Sequence, residues 1–403
     1  MLSNYFFNAL NITNNDDLLA FSKKTNIPVS KLKMYNDERI FPFNHDLKVI
    51  LKELNITELE LKLRLGIIDT STIEDIIKNS SNISKIIESS GKKNSKEKTL
   101  VEPIYTTKLG KLYQDDCLSV IENIPKNSVD LIFADPPFNL NKVYESNIND
   151  KLTKEEYLLW TEKWVLGCIN ILKEGGSLFI WNLPIWNTYI SSILNKYLNF
   201  RHWISVDVKY QLPIPNKLYP SHYSLLYYSK GKKPNTYNNQ RIPLEICRHC
   251  GGDIKDYGGY KDKLNSHGLN LTDVWHDISP VRHSKYKTRE SNELSVKLME
   301  RIISMASNEG DVVFDPFGGS GTTYIVSELL KRRWIGAEIG PIDSIIKRFE
   351  DIDFHRDQIK EIQAKKNVLF TEEMNKIRRK NGHWLPETLE MNKKNKSNKL
   401  TNK

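Results

Sequence analysis

From about residue 100 onward, short apolar and β-branched runs alternate with longer stretches whose apolar residues recur at helical spacing. "SVDLIFAD", "GSLFIWN", "HWISVDVKY" and "YSLLYYSKG" read as strands, and "LTKEEYLLWTEKWVLGCINIL" and "WNTYISSILNKYL" as helices. This alternation predicts an α/β unit on a parallel sheet. Near Asn235 the pattern lapses into a loop-rich stretch containing "CRHCGG" and "DYGGYKDK". It resumes at "NELSVKLMERIISMA" and "DVVFDPFGGSGTTYIVSELLKRRWIGAEIG". Ahead of residue 100, about Asp16 to Leu65 reads as short helices with polar breaks, starting with "DDLLAFSKKT" behind an acidic cap. The boundaries expected from these shifts are a small helical domain at 1–78, a Ser/Lys-rich linker at 79–100, and the first half of the sheet domain at 101–236. A loop-rich insert at 237–291 follows, then the second half with a C-terminal helical extension at 292–385 and a basic, disordered tail at 386–403.

Composition narrows the picture modestly. The chain has 403 residues and a formal charge of +9, which favours a polyanionic partner. No apolar run approaches the ~18 residues that span a bilayer, so a membrane partner is not expected. The start, "MLSNYFFNALNITNNDD", lacks a basic n-region. Four cysteines in a chain of this length make no disulfide scaffold, and a cytoplasmic protein with reduced thiols is expected.

The stretch at 310–340 has the grammar of a strand–loop–helix–strand unit. Val312 to Asp315 reads as a buried strand, Phe317 to Gly321 as a glycine loop, Thr322 to Leu330 as a helix and Trp334 to Glu338 as the next strand. Glycines allow close backbone approach, and a helix N-terminus offers free N–H groups. A carboxylate ending the second strand can bind ribose hydroxyls. No Gly-Lys-Ser/Thr follows, which excludes a nucleoside-triphosphate P-loop. The alternative is a structural turn in an ordinary α/β fold.

A second punctuation mark is "DLIFADPPFN", where an apolar run ends on an acid, two prolines and an aromatic residue. Proline lacks an N–H and has a fixed φ, so this pair stops a strand abruptly. Together, "DPPF" and "DPFGGSGTT", in that order, resemble the S-adenosylmethionine-dependent DNA amino-methyltransferases that act on adenine N6 or cytosine N4, in their beta arrangement. The resemblance covers about Leu109 to Gly340. It implies a circularly permuted, Rossmann-like α/β sheet with a loop-rich target-recognition insert, beside the small all-α N-terminal domain. It also implies S-adenosylmethionine as cofactor, held by Asp315, Phe317, Gly318, Gly319, Ser320, Gly321 and Thr322. Glu338 matches the ribose-binding acid, and Asp116 in "YQDDCLSVI" the residue that reaches the cofactor adenine. At "NELSVKLMERII", Leu294 stands where the family has proline.

The catalytic step then has a physical reading. An exocyclic amino group is a poor nucleophile because its lone pair is delocalised into the base. Hydrogen bonds from both of its N–H groups to fixed acceptors would hold the nitrogen nearer tetrahedral geometry. The Asp135 carboxylate and the Pro136 carbonyl would supply those acceptors, and Pro136 and Pro137 would keep them rigid. Phe138 would give a flat face for an extruded base. It replaces the family's commoner Tyr. An Asp at 135 is more typical of the adenine enzymes, so adenine N6 is the expected target. Cytosine N4 is the alternative, and a non-catalytic DNA-binding regulator on the same fold is the rival of another class.

In the insert, Arg241, Arg248, Lys261, Arg282 and Lys285 stand among aromatic residues, a composition suited to phosphate positioning and base-edge readout. Cys247 and Cys250 have metal-ligand spacing, but no second such pair exists, so no metal is expected and two buried thiols in a tight turn are. At the N-terminus, "LLAFSKKTNIPVSKLKMYNDERIFPFNHDLKVILKELNIT" resembles a phage-repressor-type helix-turn-helix, with a turn at Asn26-Ile27-Pro28 and Ser30 and Lys31 on its second helix. An oligomerisation bundle is the alternative. The expected macromolecular partner is duplex DNA, with room for a homodimer and for a cognate restriction endonuclease.

Overall fold

The computed structural model describes residues 5–37, 40–90, 100–140, 151–207, 214–216, 218–254, 264–278 and 293–388. The chain divides into two compact units, one formed by residues 1–97 with 153–156 and the other by 98–152 with 157–403.

The first unit is helical: α1 (Tyr5–Ala9), α2 (Asn15–Thr25), α3 (Val29–Asp37), α4 (Asn44–Leu54), α5 (Glu58–Arg64), α6 (Thr70–Lys78) and α7 (Ser80–Ser90). Short polar side chains start these helices. Asn14, Thr57 and Asp69 accept the backbone N–H groups of Asp17, Glu60 and Thr72. Left-handed Asn26 and Asn55 end α2 and α4. Phe6, Leu32, Ile50 and Leu61 are wholly buried at the centre. Helix α7 occupies the first part of the stretch read as a linker.

The second unit is built on a sheet of nine strands among the described residues, with the spatial order β1 (Tyr105–Thr106), β2 (Gly110–Tyr113), β11 (Arg333–Ala337), β10 (Val312–Asp315), β3 (Val129–Ala134), β4 (Leu172–Asn182), β6 (His222–Ser229), β5 (Asn199–Asp207) and β9 (Val274–Trp275). Strands β2, β11, β10, β3 and β4 run parallel. The sheet is therefore mostly, not wholly, parallel: β6 runs antiparallel to both β4 and β5, and β1 to β2. A short pair, β7 (Arg241–Ile242) with β8 (Leu269–Asn270), stands apart.

Alternation along β3 sorts its residues onto two faces. Leu131 and Phe133 join a core with α11 (Val296–Ala306), α12 (Thr322–Leu329), α13 (Asp343–Glu350) and α14 (Ile352–Ala364). Ile132 and Ala134 join the opposite core, with α8 (Cys117–Asn123), α9 (Lys154–Ile171) and α10 (Pro184–Leu194). Strands β10 and β11, late in the chain, sit between β2 and β3, which come early. The two halves of the sheet domain thus contribute jointly to both cores.

The C-terminal helix α15 (Glu372–Lys380) packs with the insert rather than with the sheet's helices. Leu244, Ile246, Leu369 and Phe370 form a separate small core, and Leu244 and Leu369 are joined by a backbone hydrogen bond of 2.9 Å. Arg378 is wholly buried against Phe370 and Trp384 and pairs with Asp253 at 2.9 Å.

Candidate functional site

The carboxyl ends of four neighbouring parallel strands carry the chemistry. Asp116 follows β2, Glu338 follows β11, Asp315 ends β10, and Asp135 follows β3. In parallel α/β sheets ligands bind at this edge.

Asp315 is 2 % exposed. Its carboxylate accepts the Phe317 N–H at 2.9 Å and the Thr323 hydroxyl at 2.5 Å. Burial pushes its pKa well up against those two bonds, with the charges of Asp135 and Glu338 adding to the rise. The three carboxylates are therefore electrostatic neighbours. Glu338 is oriented by backbone donors, with Gly319 N–H on Oε2 and Gly340 N–H on Oε1, each at 2.7 Å. Asp116 caps α8 by accepting the Leu118 N–H at 2.8 Å.

Loop 316–321 turns through Gly319 and Gly321, both at positive φ. At Gly318 the close approach is internal: a Cβ there would lie 2.6 Å from the Tyr324 hydroxyl. Tyr324 also covers Gly336 and reaches the carbonyls of Asp315 and Ala337 at 3.1 and 3.2 Å. The Ser320 carbonyl accepts from Arg348, which is 1 % exposed and ion-paired to Glu293. The Thr322 hydroxyl donates to the Leu294 carbonyl at 3.3 Å, so the segment in which Leu294 replaces proline lies against the loop. Tyr324 and the Arg348–Glu293 pair were invisible to motif reading, since their contacts depend on packing. Three neighbouring acidic groups, of which Asp315 is engaged inside the loop and Glu338 is oriented by backbone N–H groups, fit a ligand that carries hydroxyls and positive charge.

The Asp-Pro-Pro-Phe step is held differently. Pro136 is buried, and Asp135, Pro137 and Phe138 are half-buried. The Pro137 carbonyl accepts the Tyr157 hydroxyl and the Phe138 carbonyl accepts the Trp186 indole N–H, both at 2.8 Å. Among the described residues none donates to the Pro136 carbonyl. The Phe138 ring lies 5.8 Å from that of Tyr223, which stacks on Trp181 at 5.0 Å. An aromatic shelf thus adjoins Asp135, and burial, then the Asp135 charge, raise the Tyr223 pKa. Tyr157, Trp160 and Trp164, at helical spacing on α9, continue from this step to Phe317 of the glycine loop.

The remaining expected residues lie elsewhere. Arg241 serves the insert's own structure, donating to the Gly268 carbonyl at 3.1 Å, while Arg248 is exposed. Lys261, Arg282 and Lys285 lie outside the described residues. Lys31 pairs with Asp46 at 2.7 Å, and Ser30 is exposed. The expected buried thiol pair is corrected: Cys247 is half-buried and Cys250 exposed, because both sit in a surface turn closed by Gly251 N–H on the Cys247 carbonyl. Among the described residues no three potential ligands are grouped to hold a metal, and no helix is long and apolar enough to cross a membrane.

Comparison with known proteins gives a consistent result. The profile of a family described as DNA methylase matches residues 129–347, which include both the Asp-Pro-Pro-Phe step and the glycine loop. The Type II methyltransferase M.BamHI of Bacillus amyloliquefaciens is 49 % identical over 372 residues, 92 % of this chain and 88 % of that protein. The DNA adenine methyltransferase YhdJ of Escherichia coli (strain K12) is 31 % identical over 56 % of this chain and 76 % of its own length. Among solved structures, the cytosine-N4-specific PvuII DNA methyltransferase is 21 % identical and aligns over 65 % of this chain and 96 % of its own, with a TM-score of 0.47.

Proposed function

Because the chain belongs to the DNA methylase family, we propose that it moves a methyl group from S-adenosylmethionine to the exocyclic amino group of a base in duplex DNA, as the modification enzyme of a Type II restriction-modification system. The observation that carries the reading is the placement of Asp135 and the glycine loop at the ends of adjacent parallel strands, β3 and β10. When bound, the cofactor supplies an electrophilic methyl group on a sulfonium. Its hydroxyls and positive charge suit Glu338, Asp315 and the loop from Phe317 to Thr322, with Asp116 at the edge of β2. The circular permutation is part of the proposal. It is supported by the glycine-loop strand β10 lying beside β3 although it follows β3 by most of the domain in sequence.

The rest of the chemistry falls to the chain's own residues. Asp135 and the Pro136 carbonyl accept the two amino N–H bonds of the target base, and Pro137 limits their movement. Preorganised acceptors of this kind lower the barrier without reorganising during the reaction. Phe138 and Tyr223 stack on the base once it has left the duplex.

Adenine N6 is the proposed target, on the carboxylate at 135. Cytosine N4 is the second reading, since it presents the same pattern of an amino donor beside a ring nitrogen, and solved and curated relatives include proteins named for each base. Mass spectrometry of nucleosides from DNA treated with the protein tests both. N6-methyl-2′-deoxyadenosine is expected, N4-methyl-2′-deoxycytidine replaces the base assignment, and no methylated nucleoside sinks the enzyme reading. We also propose that the helical unit contacts DNA through α3, supported by the turn at Asn26 to Pro28 between α2 and α3. Deleting residues 1–98 should then reduce DNA affinity and the slope of affinity against salt, and an unchanged slope would remove that role.

A further inference from the structure

The Pro-Pro step poses a structural problem. Pro136 and Pro137 have no N–H, so consecutive carbonyls are the main polar groups by which this backbone can be anchored. Side chains from distant elements take two of the three carbonyls at 136–138. Tyr157 of α9 donates to Pro137 and Trp186 of α10 donates to Phe138, both at 2.8 Å. The third carbonyl, that of Pro136, receives no donor among the described residues.

The donors are themselves fixed. Tyr157 is 1 % exposed, and its hydroxyl accepts from Asn182 Nδ2 at 3.1 Å, which leaves its single proton for Pro137. Asn182 Oδ1 accepts the Leu183 N–H at 2.7 Å, which sets the orientation of its amide. The Asn182 carbonyl accepts the Ser224 hydroxyl at 3.0 Å, and Ser224 Oγ accepts Asn187 Nδ2 at 2.7 Å. Asn182, Asn187 and Ser224 are wholly buried. The Tyr157 and Trp186 rings pack 4.6 Å apart, so the two donors also brace each other. Every donor in this chain points toward the Asp-Pro-Pro-Phe backbone, where it ends on Pro137.

We propose that Tyr157 and Trp186 are positioning residues for methyl transfer: by clamping the Pro137 and Phe138 carbonyls they hold the intervening peptide planes so that the Pro136 carbonyl alone stays available to the target amino group. This rests on the methyltransferase reading above. Neither residue touches the base. They act through the angle at which Asp135 and the Pro136 carbonyl converge on it, and small errors in such geometry reduce rate steeply.

The test compares wild type with Tyr157→Phe and Trp186→Phe. Tyr157→Phe removes one hydroxyl. Trp186→Phe removes the indole donor from a half-buried site and keeps an aromatic ring, which guards against loss of fold. Single-turnover transfer of tritiated methyl from S-adenosylmethionine to unmethylated bacterial genomic DNA would be measured, alongside KM for DNA, calorimetric cofactor affinity and melting temperature. A fall of about 10- to 100-fold in rate in both variants is expected, with KM and cofactor affinity within twofold of wild type. Rates within twofold of wild type would overturn the proposal while leaving the enzyme reading intact. So would a rate loss matched by equal losses of cofactor affinity and thermal stability, because that is the signature of a merely structural role. A wild-type protein that transfers no methyl would instead overturn the underlying reading.

Discussion

Two loops in this molecule begin with the same Asp-Pro pair and leave neighbouring parallel strands, yet they are built in opposite ways. After β10, Asp315 is buried and its carboxylate is consumed by the loop's own backbone and by Thr323 of the following helix. After β3, Asp135 is half-buried and the loop is held by its carbonyls from outside. One acid braces its own loop, whereas the other loop is anchored by side chains from other elements. The cause lies two residues after the acid, since proline follows both: Phe317 supplies an N–H that folds back on Asp315, whereas Pro137 supplies none.

The largest effect expected from this contrast is at Asp135. Asp135→Ala should lower methyl transfer by on the order of 10²–10³ while calorimetric affinity for S-adenosylmethionine stays near wild type. If cofactor affinity fell in step with rate, Asp135 would be a brace like Asp315 and the distinction would collapse.

Gly319→Val should do the reverse. Gly319 has φ 54°, which a β-branched residue adopts only with strain of about 1–2 kcal/mol, and its N–H orients Glu338 at 2.7 Å. Cofactor affinity is therefore expected to drop at least about tenfold, one decade for each ~1.4 kcal/mol. Isothermal calorimetry on the folded variant reads this directly, and unchanged affinity would detach the loop from the cofactor.

How far the sequence foretold these loops follows from the reach of their contacts. The element boundaries around the glycine loop differ from expectation by a residue: the second strand is Arg333–Ala337, with Glu338 just beyond it. Local chemistry sets them, since glycine and β-branched runs act within a few positions. The clamp on the other loop was not legible, because Tyr157 and Trp186 lie 20 and 48 residues from the carbonyls they reach. A trace existed: Tyr157, Trp160 and Trp164 mark one face of α9, but periodicity cannot name what that face covers. The antiparallel β6 was missed for a related reason. A buried apolar run looks the same in either direction, and only the connection before it, with no described helix, distinguishes the two. The joining of α15 to the insert depends on a core of a few residues contributed from more than a hundred positions away, such as Leu244 and Leu369.

The smallest expected effect is a pH dependence that comes from the burial of Asp315. Burial, together with the charges of Asp135 and Glu338, raises the folded-state pKa of Asp315 well above its ordinary value of 3.8. In the unfolded chain that carboxyl loses its proton near the ordinary value, whereas in the folded protein it keeps it to a higher pH. Between those two points the folded state binds more protons than the unfolded state, so this group's contribution makes stability fall as pH rises. Asp315→Asn removes the titration and can still accept the Phe317 N–H, while Thr323 turns its hydroxyl to accept from the new amide. Relative to wild type the variant should therefore gain melting temperature as pH is raised from 3.8 through the folded pKa, and the difference should level off above it. Differential scanning calorimetry of this variant across that range would sharpen the picture of Asp315 as a brace. A flat difference for Asp315→Asn would mean that its two hydrogen bonds offset the cost of burying the charge, leaving the two acids distinguished by geometry alone.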